Sequence, residues 1–268
     1  MRLEAGDARV RIDPAHGGRL ASLLVDGHEL LVAEAEVLGE PTLWGCYPMV
    51  PWAGRVRDGR FAFRGTTHQL PLDAPPHALH GVAHRAAWEA TGPDSLRLDM
   101  DGRWPFGGTV TQAVTLTPTA LRLSMTVTAA DKAMPVMAGW HPCFRRRLAT
   151  GDPAELDLRA AAMWARDGTG IPTGRLVPVP TGPWDDAFDG VEEPRITWPG
   201  ALALTLRSSC PVWVAYDQDP RLVCVEPQSD APDAFNREPA VLEPGEQLTV
   251  TFQLDWGPPP EPTVGGGH

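Results

Sequence analysis

Residues 109–129, TVTQAVTLTPTALRLSMTVTA, place an apolar side chain at nearly every second position on both sides of Thr117-Pro118-Thr119. Alternation of period two buries one face of a strand and leaves the other to solvent. A short break between two such runs reads as a hairpin. The pattern recurs along the chain. GRLASLLVDGHELLV is two apolar runs joined around Asp26-Gly27, a dipeptide that suits the left-handed conformations of a two-residue hairpin turn. GRFAFRG, LRLDM, ELDLRA, ALALTLRS, PVWVAY, LVCVEP and QLTVTFQL continue it. No window of helical length carries an apolar stripe at 3.6-residue spacing, and 29 prolines are too many for long helices. The chain is therefore expected to be all-β, with its many short strands in a large antiparallel β-sandwich rather than a small barrel. With no repeat of fixed period and no mid-chain linker, residues 1–257 are expected to form a single domain. The Pro/Gly-rich residues 258–268 are expected to be a disordered tail.

Charge and composition narrow the chemistry. A formal net charge of −11 argues against nucleic acid and anionic membrane surfaces, which select basic patches, and is compatible with a neutral small molecule. The N-terminus has no apolar segment of the signal-peptide kind and no stretch is long enough to span a bilayer, so a cytoplasmic location is expected. Lys132 is the only lysine and stands in a polar turn, TAADKAMP, which disfavours Schiff-base chemistry. The four cysteines, Cys46, Cys143, Cys210 and Cys224, are far apart in sequence and form no CxxC pair. They are expected to be free thiols, with no structural zinc site.

Five segments are too polar and too rich in Gly, Pro and Trp to be plain strands: WGCYPMVPWAGRVRDGRF, PHALHGVAHRAAW, GWHPCF, PWDDAF and VCVEPQSDAPDAFN. In the second, His77, His80 and His84 have no matching ligand cluster elsewhere, and Pro75, Pro76 and Gly81 discourage the helix that would align them. No metal is expected there, and His77 and His84 read as loop histidines that cap backbone groups. There is no GxSxG elbow, and Cys143 is expected to stand opposite to His141 in a strand, which leaves no nucleophile with a base beside it. Non-covalent acid–base work remains, with His80, His141, Asp185 or Asp186, Glu226 and Arg55 as candidates. Glu226 is the most suggestive, because a carboxylate at the end of the apolar run LVCV needs a reason to be there. Trp44, Trp52, Trp140 and Trp184 lie near these groups, and one or two are expected to offer an aromatic face to a sugar ring.

In this order and spacing, CYPMVPWAGRVRDGRFAFRG, ALHGVAHRAAW, GWHPCF, WDDAF and VEPQSDAPDAFN resemble the aldose 1-epimerase (galactose mutarotase) family, from about Gly17 to Trp256. The resemblance implies a large antiparallel β-sandwich and a cofactor-independent isomerase that interconverts the α and β anomers of a hexose. It implies Glu226 as catalytic base, His141 as acid and His80 as a further catalytic histidine. Arg55 and Asp185, with Trp52 beside them, are implied to bind substrate, Asp186 being the alternative register. Gly54 replaces the family's asparagine, Cys143 its tyrosine, and Arg145-Arg146 its Asn-Leu, changes that bear on sugar preference. Arg57, Arg60, Arg85, Arg145 and Arg146 would supply a cluster for a hexose 6-phosphate on the same fold. A sugar-binding module without catalysis and a polysaccharide lyase or hydrolase module are the other rivals. The partner implied is a small aldose, the protein being a monomer or homodimer.

Overall fold

The computed structural model describes residues 1–259, so the tail expected at 258–268 lies almost wholly outside the described residues. The described residues form antiparallel β-sheet joined by loops and four short 3-10 turns. Two large sheets stack face to face. The larger runs, edge to edge, through Arg2–Ala5, Ala8–Asp13, Arg19–Val25, Cys46–Met49, Gly139–Arg145, Leu222–Gln228, Val212–Tyr216, Asp185–Asp189, Ala162–Arg166 and Pro172–Val177, with His28–Glu29 paired on Arg19–Val25. The smaller contains Glu89–Ala90, Ser95–Asp99, Thr109–Leu116, Ala120–Thr128, Gln247–Gly257, Leu202–Ser208, Glu192–Trp198 and Glu155–Arg159. No helix among the described residues is long and apolar enough to cross a membrane.

Both predicted hairpins form. Thr109–Leu116 pairs with Ala120–Thr128 around the Thr-Pro-Thr turn. Asp26 and Gly27, at φ 49° and 81°, join Arg19–Val25 to His28–Glu29 with Val25 opposite His28. Alternation does its expected work in the smaller sheet: Val110, Val114, Leu121, Leu123, Met125 and Val127 are buried while their neighbours face out. Phe252, beside Leu123 in the same sheet, reaches across the sandwich to Trp140 and Trp213 of the larger sheet, its ring 6.0 and 6.1 Å from theirs.

Two strands at the centre of the larger sheet break the alternation. Every residue of Leu222–Gln228 is buried, and so is all of Gly139–Arg145 except its last residue. One face of these strands feeds the core between the sheets through Trp140, Phe144, Val223 and Val225. Their other face, carrying His141, Cys143, Cys224, Glu226 and Gln228, is covered by loops. A doubly buried strand with charged residues on the non-core face is where a site can be enclosed.

Candidate active site

Register across the larger sheet assembles the site. Gly139 stands opposite Gln228 and Cys143 opposite Cys224, which sets His141 directly across from Glu226. On the far side His141 pairs with Tyr47, and Glu226 with Val214. Asp185 joins the same face through its pairing with Tyr216. Side chains opposite one another on adjacent antiparallel strands are close enough to touch, and here His141 Nε2 lies 3.2 Å from Glu226 Oε1. Gln228 Nε2 donates to Glu226 Oε2 at 3.1 Å, while Gln228 Oε1, although buried, has no protein partner. The His141 ring is stacked on Tyr47 at 4.8 Å and meets the edge of His80 at 5.0 Å.

His80 comes from a separate two-stranded ribbon in which Arg55–Val56 pairs with Ala78–Leu79. Its backbone is left-handed, φ 59°, and Gly81 follows at φ 75°. A Cβ at Gly81 would meet the Val50 carbonyl oxygen at 2.1 Å, so only glycine lets the chain pass there. Gly54 N–H donates to His80 Nδ1 at 3.3 Å, which leaves the ring proton on Nε2. Burial, reinforced by nearby His141, His84 and Arg55, holds His80 well below the ordinary imidazole range, so it is neutral. His84 braces it: Nδ1–H donates to the His80 carbonyl at 3.1 Å, and Arg85 Nε–H donates to His84 Nε2 at 3.0 Å, fixing the tautomer. His77 Nδ1 accepts from Asp58 N–H at 3.1 Å. His77 and His84 thus do cap backbone groups, but the group that His84 holds belongs to His80.

Arg55, His80, His141, Asp185, Asp186, Glu226 and Gln228 all line one open cavity of about 240 Å³. Arg55 reaches Asp185 at 3.6 Å. Arg166 bridges both aspartates, Nη1 to Asp185 at 3.2 Å and Nε to Asp186 at 2.9 Å. At the deep end the electrostatics are set by burial. Burial pushes Glu226 up to about 7 against the opposing pull of His141. Burial also works against a charged His141, but the Glu226 carboxylate and the Cys143 sulfur outweigh it and raise the imidazole to about 9. Between these values the carboxylate is bare and the imidazole loaded, so a base and an acid stand 3.2 Å apart in one cavity.

The family profile of aldose 1-epimerase matches residues 2–197. The chain belongs to the aldose 1-epimerase family. It is 26% identical over 265 residues to YphB of Escherichia coli K12, a protein of uncharacterised function, covering 81% of this chain and 86% of that one. A crystal structure from Escherichia coli K12, provisionally assigned as an aldose 1-epimerase, superposes with a TM-score of 0.80 at 25% identity, over 96% of this chain and 98% of that chain. A galactose mutarotase-like protein of Clostridium acetobutylicum reaches 0.83 at 17% identity, over 96% and 94%. At that identity the likeness concerns the fold.

Against this family background, five of the six expected site residues, Glu226, His141, His80, Arg55 and Asp185, share the cavity. Trp52 does not. It is fully buried in the core, its ring 5.8 Å from that of Trp104. Trp44, Trp140 and Trp184 are also absent from the lining; Trp44 lies under the Arg19 guanidinium at 3.8 Å. Trp164 and Tyr216 are the aromatic side chains that line the cavity beside the histidines, and Trp164 comes with Arg166 from AMWAR, a segment without a motif. Cys143 corrects a second expectation. Residues i and i+2 of a strand share a face, so Cys143 points the same way as His141, with Sγ 3.4 Å from Nδ1. Nor do the five arginines that the hexose 6-phosphate alternative would need line the cavity. Arg57 pairs with Asp167, Arg85 with Asp73 and Arg145 with Glu36. Arg146 is turned to the Asp217 carbonyl, and Arg60 sits on an outlying hairpin.

Proposed function

We propose that this protein is an aldose 1-epimerase acting on a free hexose, with Glu226 as base and His141 as acid. The contact between Glu226 and His141 carries the reading. Anomer exchange needs a proton removed from the C1 hydroxyl while another is delivered to the adjacent ring oxygen. A positioned pair supplies both without a cofactor. With the C1 hydroxyl and the ring oxygen of the sugar set against the pair from the cavity, Glu226 takes the C1 hydroxyl proton and His141 Nε2–H protonates the ring oxygen. The C1–O bond opens to the aldehyde, C1–C2 rotates, and ring closure on the other face returns both protons with the roles reversed.

His80 Nε2–H is the natural donor to the oxygen on which charge moves. Arg55, Asp185 and the unpartnered Gln228 Oε1 offer donors and acceptors to ring hydroxyls. Trp164 gives the apolar face of the sugar a wall. A neutral hexose suits the cavity better than a hexose phosphate, because its two arginines are already matched by Asp185 and Asp186. Magnetisation exchange between the α and β anomeric proton resonances tests this. Faster exchange in D-glucose or D-galactose than in glucose 6-phosphate is expected. Acceleration confined to the 6-phosphate would reject the free-hexose assignment, and none with any of the three would reject the enzyme.

A further inference from the structure

Only one side of the His141 ring is used by this chemistry. Nε2 meets Glu226, while Nδ1 faces Cys143 Sγ at 3.4 Å, and Cys143 Sγ lies 3.7 Å from Cys224 Sγ. All three residues are buried, and their ligand atoms lie within 4.8 Å of one another. The two cysteines, 81 positions apart, are directly opposite on adjacent strands. Cys143 directs its own N–H to Gly45 O and its own C=O to Val32 N, at 2.8 and 2.9 Å, away from Cys224. The cysteines therefore form a non-hydrogen-bonded pair, the arrangement that brings opposed side chains closest in an antiparallel sheet.

These separations suit a tetrahedral metal. Two thiolates on one zinc, each at about 2.3 Å, stand about 3.8 Å apart, and a thiolate and an imidazole nitrogen about 3.5 Å. We propose that His141 Nδ1, Cys143 Sγ and Cys224 Sγ form a binding site for a thiophilic divalent cation of the zinc class, and that filling it inhibits the enzyme. Two thiolates and an imidazole select zinc or cadmium over magnesium or calcium. The Thr42 carbonyl, 3.5 Å from Cys143 Sγ, is a further donor beside the cluster. Glu226 completes the outer shell, since a metal on Nδ1 leaves the Nε2 proton directed at a carboxylate, the arrangement that orients metal-bound histidines. On binding, the Nδ1 proton and any proton still held by the two sulfurs leave to solvent. His141 then holds one proton, on Nε2, as a neutral metal-bound imidazole, a far weaker acid than the imidazolium. Metal binding stands on the geometry alone; its inhibitory effect rests on the reading of His141 as the acid.

Metal-free protein is titrated with Cd²⁺ while the thiolate-to-metal absorption is followed, and with Zn²⁺ while anomerisation is followed, beside Cys224→Ser. Expected are saturation at one equivalent of cadmium and a loss of activity with zinc that a chelator reverses. The variant should keep its metal-free activity and need at least about ten times more zinc for the same loss. The wild-type absorption titration decides even if the variant does not fold. Absence of saturable thiolate absorption, or equal zinc sensitivity in a folded variant, would overturn the site. Saturable absorption in a protein with no epimerase activity would uphold the site and reject the functional reading instead.

Discussion

Glu226 and His141 divide their work by environment. The carboxylate is 2% exposed and the imidazole 5%, so neither takes its ordinary pKa. Below about 7 Glu226 gains a proton and ceases to be a base; above about 9 His141 loses one and ceases to be an acid. The kcat/KM profile of metal-free enzyme should therefore form a bell with its plateau between these values, and a flat profile would remove the pair from the mechanism. His84 makes a sharper test of positioning. Ala at this position deletes the donor to the His80 carbonyl and should lower kcat about tenfold or more, since small displacements of a reacting group are costly. Asn, whose Nδ2 can replace the imidazole Nδ1, should recover much of the loss, and His77→Ala should leave kcat close to wild type. Equal losses at His77 and His84 would mean general damage to the loop. Glu226 and His80 were legible as residue types in motifs. Trp164 and Arg166 were not, because AMWAR is only a short apolar run ending in arginine, and nothing local says that it meets Asp185 and Asp186.

At the scale of elements, the site joins a sheet face to two loops, and the loops are tied by the back half of VEPQSDAPDAFN. Asp233, at φ 67°, donates its N–H to the Arg55 carbonyl and accepts the Arg57 N–H on Oδ1, both at 2.8 Å. Asn236 Nδ2 steadies the same oxygen at 2.8 Å. Asp233→Ala leaves the Arg57 N–H without its acceptor and puts an ill-suited residue in the left-handed region. A cost of about 1–3 kcal/mol in urea unfolding is expected, with KM raised more than kcat is lowered. Asn at 233 should be mild, as it accepts the same bond and tolerates that backbone. A kcat effect without a KM effect would show that this latch does not act through Arg55. The hairpins around Asp26-Gly27 and Pro118 could be read directly, because a turn and its flanking runs are local. The meeting of Cys143 with Cys224 could not, because it depends on the register of strands far apart in the chain. Trp52 misled for a related reason: closeness in sequence to a polar motif does not choose which face of the chain a side chain takes.

For the molecule as a whole, period-two alternation was enough to announce a two-sheet structure. What it left open was which outer face would be roofed over. The answer lies in the two central strands that are buried on both sides, and only Glu226 after LVCV hinted at it. Core and cavity occupy opposite faces of one sheet, so they can be disturbed separately. Phe252→Ala, at a fully buried ring between Trp140 and Trp213, should cost about 3–5 kcal/mol in denaturant unfolding while folded enzyme keeps its KM. A rise in KM in parallel with the loss of stability would show the two faces to be coupled.

The central claim is that Glu226 and His141 open and close a sugar ring. Its most direct test is the optical rotation of freshly dissolved α-D-glucose or α-D-galactose, followed with wild-type protein, with Glu226→Gln and without protein. The wild type should speed the decay to the equilibrium rotation, and the glutamine variant should fall at least about a hundredfold short of it. Decay at the spontaneous rate with wild-type protein, or undiminished acceleration by the variant, would contradict the claim.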